Sequence, residues 1–373
     1  GMPLYASKAF CCKEMCRIVN EEGMGLDVVS GGELYTALQA GFPAERIQMH
    51  GNNKTPDELS YAINSGVGHI VIDNIDELKM LDEMAGKLHQ TVGGSLRIKP
   101  GIDAHTHQFI RTGQIDSKFG FALETGEAMQ AVKMAVRAKN LKLLELHCHI
   151  GSQIFELQPF VLAAQVMMDF MQQVRKETGV MLPELNLGGG FGIQYVASDN
   201  SLPYESYMEK VSEAIRQKCK EYNFTEPRIY IEPGRSIVGE AGITLYTVGA
   251  VKRIPNIRTY VSIDGGMTDN PRYALYQSDY TVIVANHADQ PANQIVTVAG
   301  KCCESGDLIQ KDAPLQMCKA GDLLAVLSTG AYNYSMASNY NRIPRPAVVM
   351  VHDGKTHIAV KRETYEDLIH NDL

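Results

Sequence analysis

An alternation limits this chain more than any other feature. Up to about residue 242, short apolar or β-branched runs take turns with longer segments of helical spacing. The runs are LYAS (4–7), LDVV (26–29), IQMH (47–50), HIVID (69–73), LRIK (96–99), LLELHCH (143–149), ELNL (184–187) and RIYIE (228–232). Between them lie amphipathic stretches such as DELSYAINSG and QPFVLAAQVMMDFMQQVRKETG. Thr55-Pro56-Asp57-Glu58 reads as a helix start, with Thr as cap, Pro in the first turn and Glu reaching back. Asn74-Ile75-Asp76-Glu77 repeats it without the proline, and Gly41 and Gly66 stand where helices should stop. Eight such units in roughly 240 residues predict a (β/α)8 barrel. The rival, a doubly wound sheet, does not require eight units, and no G-x-G-x-x-G follows the first run.

Beyond residue 242 the period changes to that of strands. ITLYTVGAVKRI, TYVSID, YTVIVAN, QIVTVAG, DLLAVLS and PAVVMVHDGKTHIAVKR predict a mostly-β domain, and Asp353-Gly354 between alternating residues predicts a hairpin. The expected organisation is α/β plus β, with a barrel over 1–242 and a β domain over 243–373. A chain of 373 residues that is 45% hydrophobic can fill both cores.

Composition narrows the partners. The net charge of −8, with no Lys/Arg run, argues against nucleic acid. The longest apolar runs are strand-length, so no membrane span is expected. No signal peptide is read at the start, and Gly1 before Met2 is left out of the fold reasoning. The eight cysteines, at 11, 12, 16, 148, 219, 302, 303 and 318, form no C-x-x-C pair. They read as reduced thiols in a cytoplasm. The His-bearing stretches HCHIG and DAHTHQ are not joined to cysteines at zinc spacing, so no metal is expected.

Barrel chemistry sits at the C-terminal ends of the strands. The polar residues there are Lys8, Asp27, Arg97 and His149, with GGGFG (188–192) after the seventh run and EPGRS (232–236) after the eighth. Gly188, Gly189 and Gly190 allow backbone N–H groups close to an anion, a helix N-terminus is expected to follow, and Arg235 stands in the next loop. These two loops form the usual phosphate site of such barrels. A phosphate, a lysine and the Glu232 carboxylate together suggest pyridoxal 5′-phosphate. Lys8 would hold it covalently, Glu232 would keep the ring nitrogen protonated, and His149 would stack on the ring. Taken singly, the lysine reads as a solvated charge and the histidine as a satisfied core residue. Their convergence on one face favours a site.

At this point the chain resembles the fold-type III pyridoxal-phosphate decarboxylases, most closely those acting on diaminopimelate. YASKAF, GLDVVSGGEL, HGNNKTPDEL, HCHIGSQI, LNLGGGFGI, EPGRSIV, DGGMTDNPRYALY, CCESGD, GAYNYSMASNYN and RETYEDL run in family order over nearly the whole chain. The resemblance implies that Ser152, Gly188, Gly189, Gly190, Gly234, Arg235 and Tyr332 bind the cofactor beside Lys8, His149 and Glu232. It further implies that Arg235, Arg272, Tyr276 and Tyr332 contact substrate, that Glu304 grips a distal ammonium, and that Cys303 is the general acid. A second amino-acid head needs both signs of charge, which Arg272 and Glu304 provide. By resemblance, ornithine decarboxylases carry Asp after the matching Cys. Cys302 reads as a small buried hydrophobe. The CESGD stretch is expected to reach the active site of a second subunit, making a homodimer. Family members carry several tens of residues before the lysine, so an open sheet edge and an uncovered helix-packing surface are expected here. Two alternatives stay open: a decarboxylase of another basic amino acid (D-ornithine, D-lysine, ornithine or arginine), and an N-terminally truncated inactive homologue.

Overall fold

In the computed structural model, residues 1–102 and 116–373 are described; the DAHTHQ stretch, 103–108, lies outside them. The chain divides into two compact units, Gly1–Gly192 with Ser201–Gly234, and Ile193–Asn200 with Arg235–Leu373.

In the first unit every expected run is a strand: β1 (Met2–Ala6), β2 (Gly25–Val28), β3 (Ile47–Met49), β4 (His69–Ile72) and β5 (Val92–Lys99). A two-residue β6 (Phe121–Ala122) is followed by β7 (Leu141–Cys148), β8 (Glu184–Asn186) and β9 (Arg228–Ile231). All pairings are parallel. β1 pairs with both β2 and β9, and β4 with β5, so the eight longer strands close into a barrel with β6 beside the end of β5.

Helices begin and end where local chemistry demands. Thr55 and Glu58 form a complete capping box over the helix Pro56–Ser65, and Gly66 ends it at φ 72°. Asn74 caps Ile75–Lys87. Gly41 follows the cap of Gly31–Gln39. The glycine loop after β8 departs from expectation. No helix follows directly, and the next one begins at Tyr204. The chain instead enters the second unit at Ile193, where Ile193 and Tyr195 join its core.

Strand periodicity sorts the barrel. Leu26, Val28, Ile47, Met49, Ile70, Ile72, Leu96, Ile98 and Leu146 are buried and apolar. The residues between them include Asp27, Gln48, Ser95, Glu145 and His147, equally buried but polar. These bond across the barrel: Gln48 Nε2 donates to Glu145 Oε2 at 3.1 Å, and Asn186 Nδ2 to Gln48 Oε1 at 3.2 Å.

The second unit holds a six-stranded sheet in the order β12-β15-β10-β11-β13-β14. Its strands are β10 (Thr244–Ile254), β11 (Arg258–Ile263), β12 (Val282–Val284), β13 (Gln294–Ala299), β14 (Leu308–Leu315) and β15 (Leu323–Val326). β16 (Val348–His352) and β17 (Lys355–Val360) pair alone across Asp353 (φ 49°) and Gly354 (φ 71°), the two positive-φ residues of the expected tight turn. β14 was not foreseen in the sequence: Lys311, Asp312 and Pro314 break its alternation, and Asp312 sits at φ 52° where the register shifts against β13. Among the described residues no helix is long and apolar enough to cross a membrane.

Candidate active site

Lys8 follows β1 in a single turn, Ser7–Ala9, with its side chain exposed. The turn is seated by Ala6, whose N–H donates to the Pro233 carbonyl at 3.0 Å. Gly234 packs there too: a Cβ on it would lie 3.0 Å from that of Ala6 and 3.2 Å from that of Ala9.

Glu232 directly follows β9 and meets donors from β7 and β8 and the histidine just past β3. His147 Nε2 lies 3.0 Å and 3.2 Å from its two oxygens, and Asn186 Nδ2 donates at 2.7 Å. His50 Nε2 sits 3.2 Å from Glu232 Oε1 and 3.5 Å from Asp27 Oδ1. Burial alone would raise the Glu232 carboxyl, but His147 and His50 overcome it and hold the group well below the usual carboxylate range. His50 is the reciprocal case: burial opposes its charge, while Glu232 and Asp27 push it up to about 9. Burial drives His147 down to about 4, leaving a neutral ring that donates from Nε2. Burial, reinforced by the charge of Glu232, pushes Asp27 up to about 8.

His149 stands just past β7, half buried. Burial first, then the charges of Lys8 and Arg97, press its pKa well below 6.5. Its Nδ1 accepts the Gly189 N–H at 3.3 Å, which requires a ring without a proton there. Arg97 pairs with Asp73 at 3.9 Å and lies over the Phe119 ring at 4.3 Å. Ser152 follows His149 in the same half-buried loop.

The glycine loop is tied into its neighbours. Gly188 (φ 69°) and Gly190 (φ 109°) adopt backbone that other residues avoid. A Cβ on Gly188, Gly189 or Gly190 would run into the carbonyls of Cys148, Glu232 or Gly151. The Gly188 N–H donates to Asn186 Oδ1 at 2.9 Å. Two of the three N–H groups therefore serve the unit itself, and the glycines are required first by close loop packing.

The second unit gathers two buried cations. Arg235 donates to Tyr195 Oη at 2.6 Å and lies 4.6 Å from the Tyr332 ring centre. Arg272 lies 4.6 Å from the Tyr195 ring and donates to Tyr280 Oη at 3.0 Å and Ser278 Oγ at 3.2 Å. Tyr195 thus contacts both guanidinium groups. Tyr276 ends the short helix that Arg272 begins. Tyr332 holds a left-handed backbone at φ 61°. Cys303 and Glu304 are exposed on the turn between β13 and β14, whereas Cys302 is buried and its thiol pushed up to about 11. All eight cysteines are unpaired.

Sequence reasoning missed His50, His147, Asn186, Tyr195 and Tyr280. The first three lie inside strand runs, where only the period-2 alternation marks them as facing the barrel interior. Among the described residues, two donor groups, His50/His147/Glu232 and His69/Glu145/Glu184, bring their atoms within 4.8 Å of one another. Both are already bonded internally, His69 Nε2 to Glu184 Oε2 at 2.6 Å for example.

An ionised carboxylate, a neutral histidine, an exposed lysine and a loop that a Cβ would fill suit a cofactor with a basic ring nitrogen. Residues 1–239 match the pyridoxal-binding domain of the pyridoxal-dependent decarboxylases. The chain belongs to that family, and its cofactor is pyridoxal 5′-phosphate. It is 52% identical over 369 residues to diaminopimelate decarboxylase of Bacillus subtilis (strain 168), spanning 99% of this chain and 84% of the relative. The crystal structure of diaminopimelate decarboxylase from M. jannaschii with L-lysine superposes with a TM-score of 0.92 at 36% identity, over 100% of this chain and 84% of that one. The Helicobacter pylori diaminopimelate decarboxylase with L-lysine gives 0.91 at 31% identity, over 99% and 89%.

Proposed function

We propose that this chain decarboxylates meso-2,6-diaminopimelate to L-lysine and carbon dioxide, the last step of lysine biosynthesis. The observation that carries the reading is Glu232, held ionised by His50, His147 and Asn186 in the unit that also presents Lys8 and His149. Bound pyridoxal 5′-phosphate supplies an electron sink for the pair released as the substrate carboxylate leaves.

The chain's own residues do the rest. Lys8 Nζ holds the cofactor and exchanges protons with the substrate amine. Glu232 accepts the ring N–H. His149, neutral, stacks without adding a positive charge. Ser152, Gly190, Gly234 and Tyr332 bind the phosphate end. Arg235, Arg272 and Tyr276 orient carboxylates, for which two buried guanidinium groups around Tyr195 are suited. Glu304 receives the distal ammonium, and Cys303 Sγ delivers the proton to the carbon that lost carbon dioxide.

The working unit in this reading is a cytoplasmic homodimer in which Cys303 and Glu304 serve the partner's cofactor. Their exposure supports this, as do the exposed Val349, Val351 and Ile358 of the β16–β17 hairpin. Among substrates, relatives at about half identity are named for diaminopimelate, which favours it over ornithine or D-lysine.

The test is L-lysine release from meso-diaminopimelate with added cofactor, with D-lysine and ornithine as controls. Diaminopimelate should be strongly preferred, and Lys8→Ala should abolish turnover. A Lys8→Ala protein working at the wild-type rate would overturn the scheme. Mixing Lys8→Ala with Cys303→Ala chains should restore activity that neither shows alone; no restoration would rule out the shared site.

A further inference from the structure

The turn that carries Cys303 is held by a residue far along the chain. Among its backbone N–H groups, Cys302 donates to Asp307 Oδ2 at 2.7 Å, Glu304 to the Cys302 carbonyl at 2.8 Å, and Asp307 to the Glu304 carbonyl at 3.1 Å. Asp307 also accepts the Met267 N–H at 2.6 Å, and its carboxylate fits only because Gly266 and Gly300 lack a Cβ. These bonds fix the base of the turn. The Lys301 N–H reaches outside it to the Gly265 carbonyl at 3.0 Å, and the Cys303 N–H reaches the Asn341 side chain, donating to Oδ1 at 2.8 Å. Asn341 is exposed and sits at φ 52°, in the left-handed region that Asn tolerates better than most residues. Nothing about a 3₁₀ turn at Tyr340–Arg342 demands a side-chain acceptor at that corner.

We propose that Asn341 is a positioning residue for Cys303, its side chain setting where the Cys303 thiol is presented. The proposal rests on the reading that Cys303 returns the proton. Without this bond the peptide between Cys302 and Cys303 is held only through its carbonyl, by the Glu304 N–H, and can tilt, while Asp307 still holds the loop closed. The thiol is then mispositioned by a fraction of its reach, and a proton transfer depends steeply on such distances.

Two variants separate side chain from backbone. Asn341→Gly keeps the left-handed corner and deletes the acceptor; Asn341→Asp keeps both. In the holoenzyme, Asn341→Gly should lower kcat about tenfold or more, with cofactor Kd, KM and Tm near wild type. Amide exchange at Cys303, read by peptide mass spectrometry, should quicken about tenfold. Asn341→Asp should restore both. Unchanged exchange, or wild-type kcat in Asn341→Gly while Cys303→Ala is impaired, would overturn the proposal; so would Asp rescuing no better than Gly. If Cys303→Ala itself keeps wild-type kcat, the role of Cys303 fails first, and that of Asn341 falls with it.

Discussion

Replacing Glu232 by Gln probes the centre of the site with almost no change of shape. The carboxylate accepts from His147 and Asn186 at 2.7 Å to 3.2 Å and pairs with His50 Nε2 at 3.2 Å. An amide offers one acceptor oxygen and puts an NH2 group against at least one of these donors. The larger consequence is electrostatic. His50 is pushed from 6.5 to about 9, Glu232 being the stronger of the two charges that raise it, against burial. That rise is worth on the order of 3 kcal/mol. In Glu232→Gln, burial acts against Asp27 alone, 3.5 Å away and itself drawn up to about 8. His50 should then titrate at least one unit lower, below about 8. NMR titration of the apoprotein labelled at histidine Cε1, assigned with His50→Gln, reads this directly. Cofactor affinity should fall in the same variant. A His50 still titrating near 9 would refute the reasoning and place the source of its charge at Asp27.

Three further outcomes follow from the geometry. His147 titrates at about 4 when folded and near 6.5 when unfolded, so the unfolded state binds the extra proton between those values. Its contribution is present above about 6.5 and lost as pH falls to about 4, about 3 kcal/mol in all. Urea unfolding of the wild type against His147→Asn across that range should show the difference shrinking with acid; a constant difference would contradict it. Lys54→Met should cost about 3–5 kcal/mol, because it strands the buried Glu77 that Lys54 pairs with at 2.8 Å. A loss under 1 kcal/mol by denaturation would show the pair to be dispensable. Gly189→Ala drives a methyl into the Glu232 carbonyl and should weaken cofactor binding at least tenfold in a spectrophotometric titration; unchanged affinity would mean the loop yields freely.

The strands were legible because both barrel and sheet leave periodic apolar signatures, and the helix starts because Thr55 and Asn74 are chemically marked. β14 was hidden by Lys311, Asp312 and Pro314. The site was half legible. Lys8, His149, Glu232 and the glycines lie at strand ends, where position itself signals a role. His50, His147 and Asn186 do not, since a polar residue within a strand looks the same whether it faces solvent or a closed barrel. The pairing of Tyr195 with Arg235 and Arg272 needed the fold, because the segment Ile193–Asn200 leaves one unit to join the other.

The barrel interior is a lattice of side chains, each answering to neighbours on other strands: Gln48 to Glu145 and Asn186, Asn186 to Glu232, Glu232 to His147 and His50. A lattice of this kind resists piecemeal change. A single replacement strands a donor or acceptor that has no water to turn to. Descendants of this chain should therefore keep these residues together or exchange them in matched sets, and recombination between relatives should cut outside β3 to β9 more safely than within it.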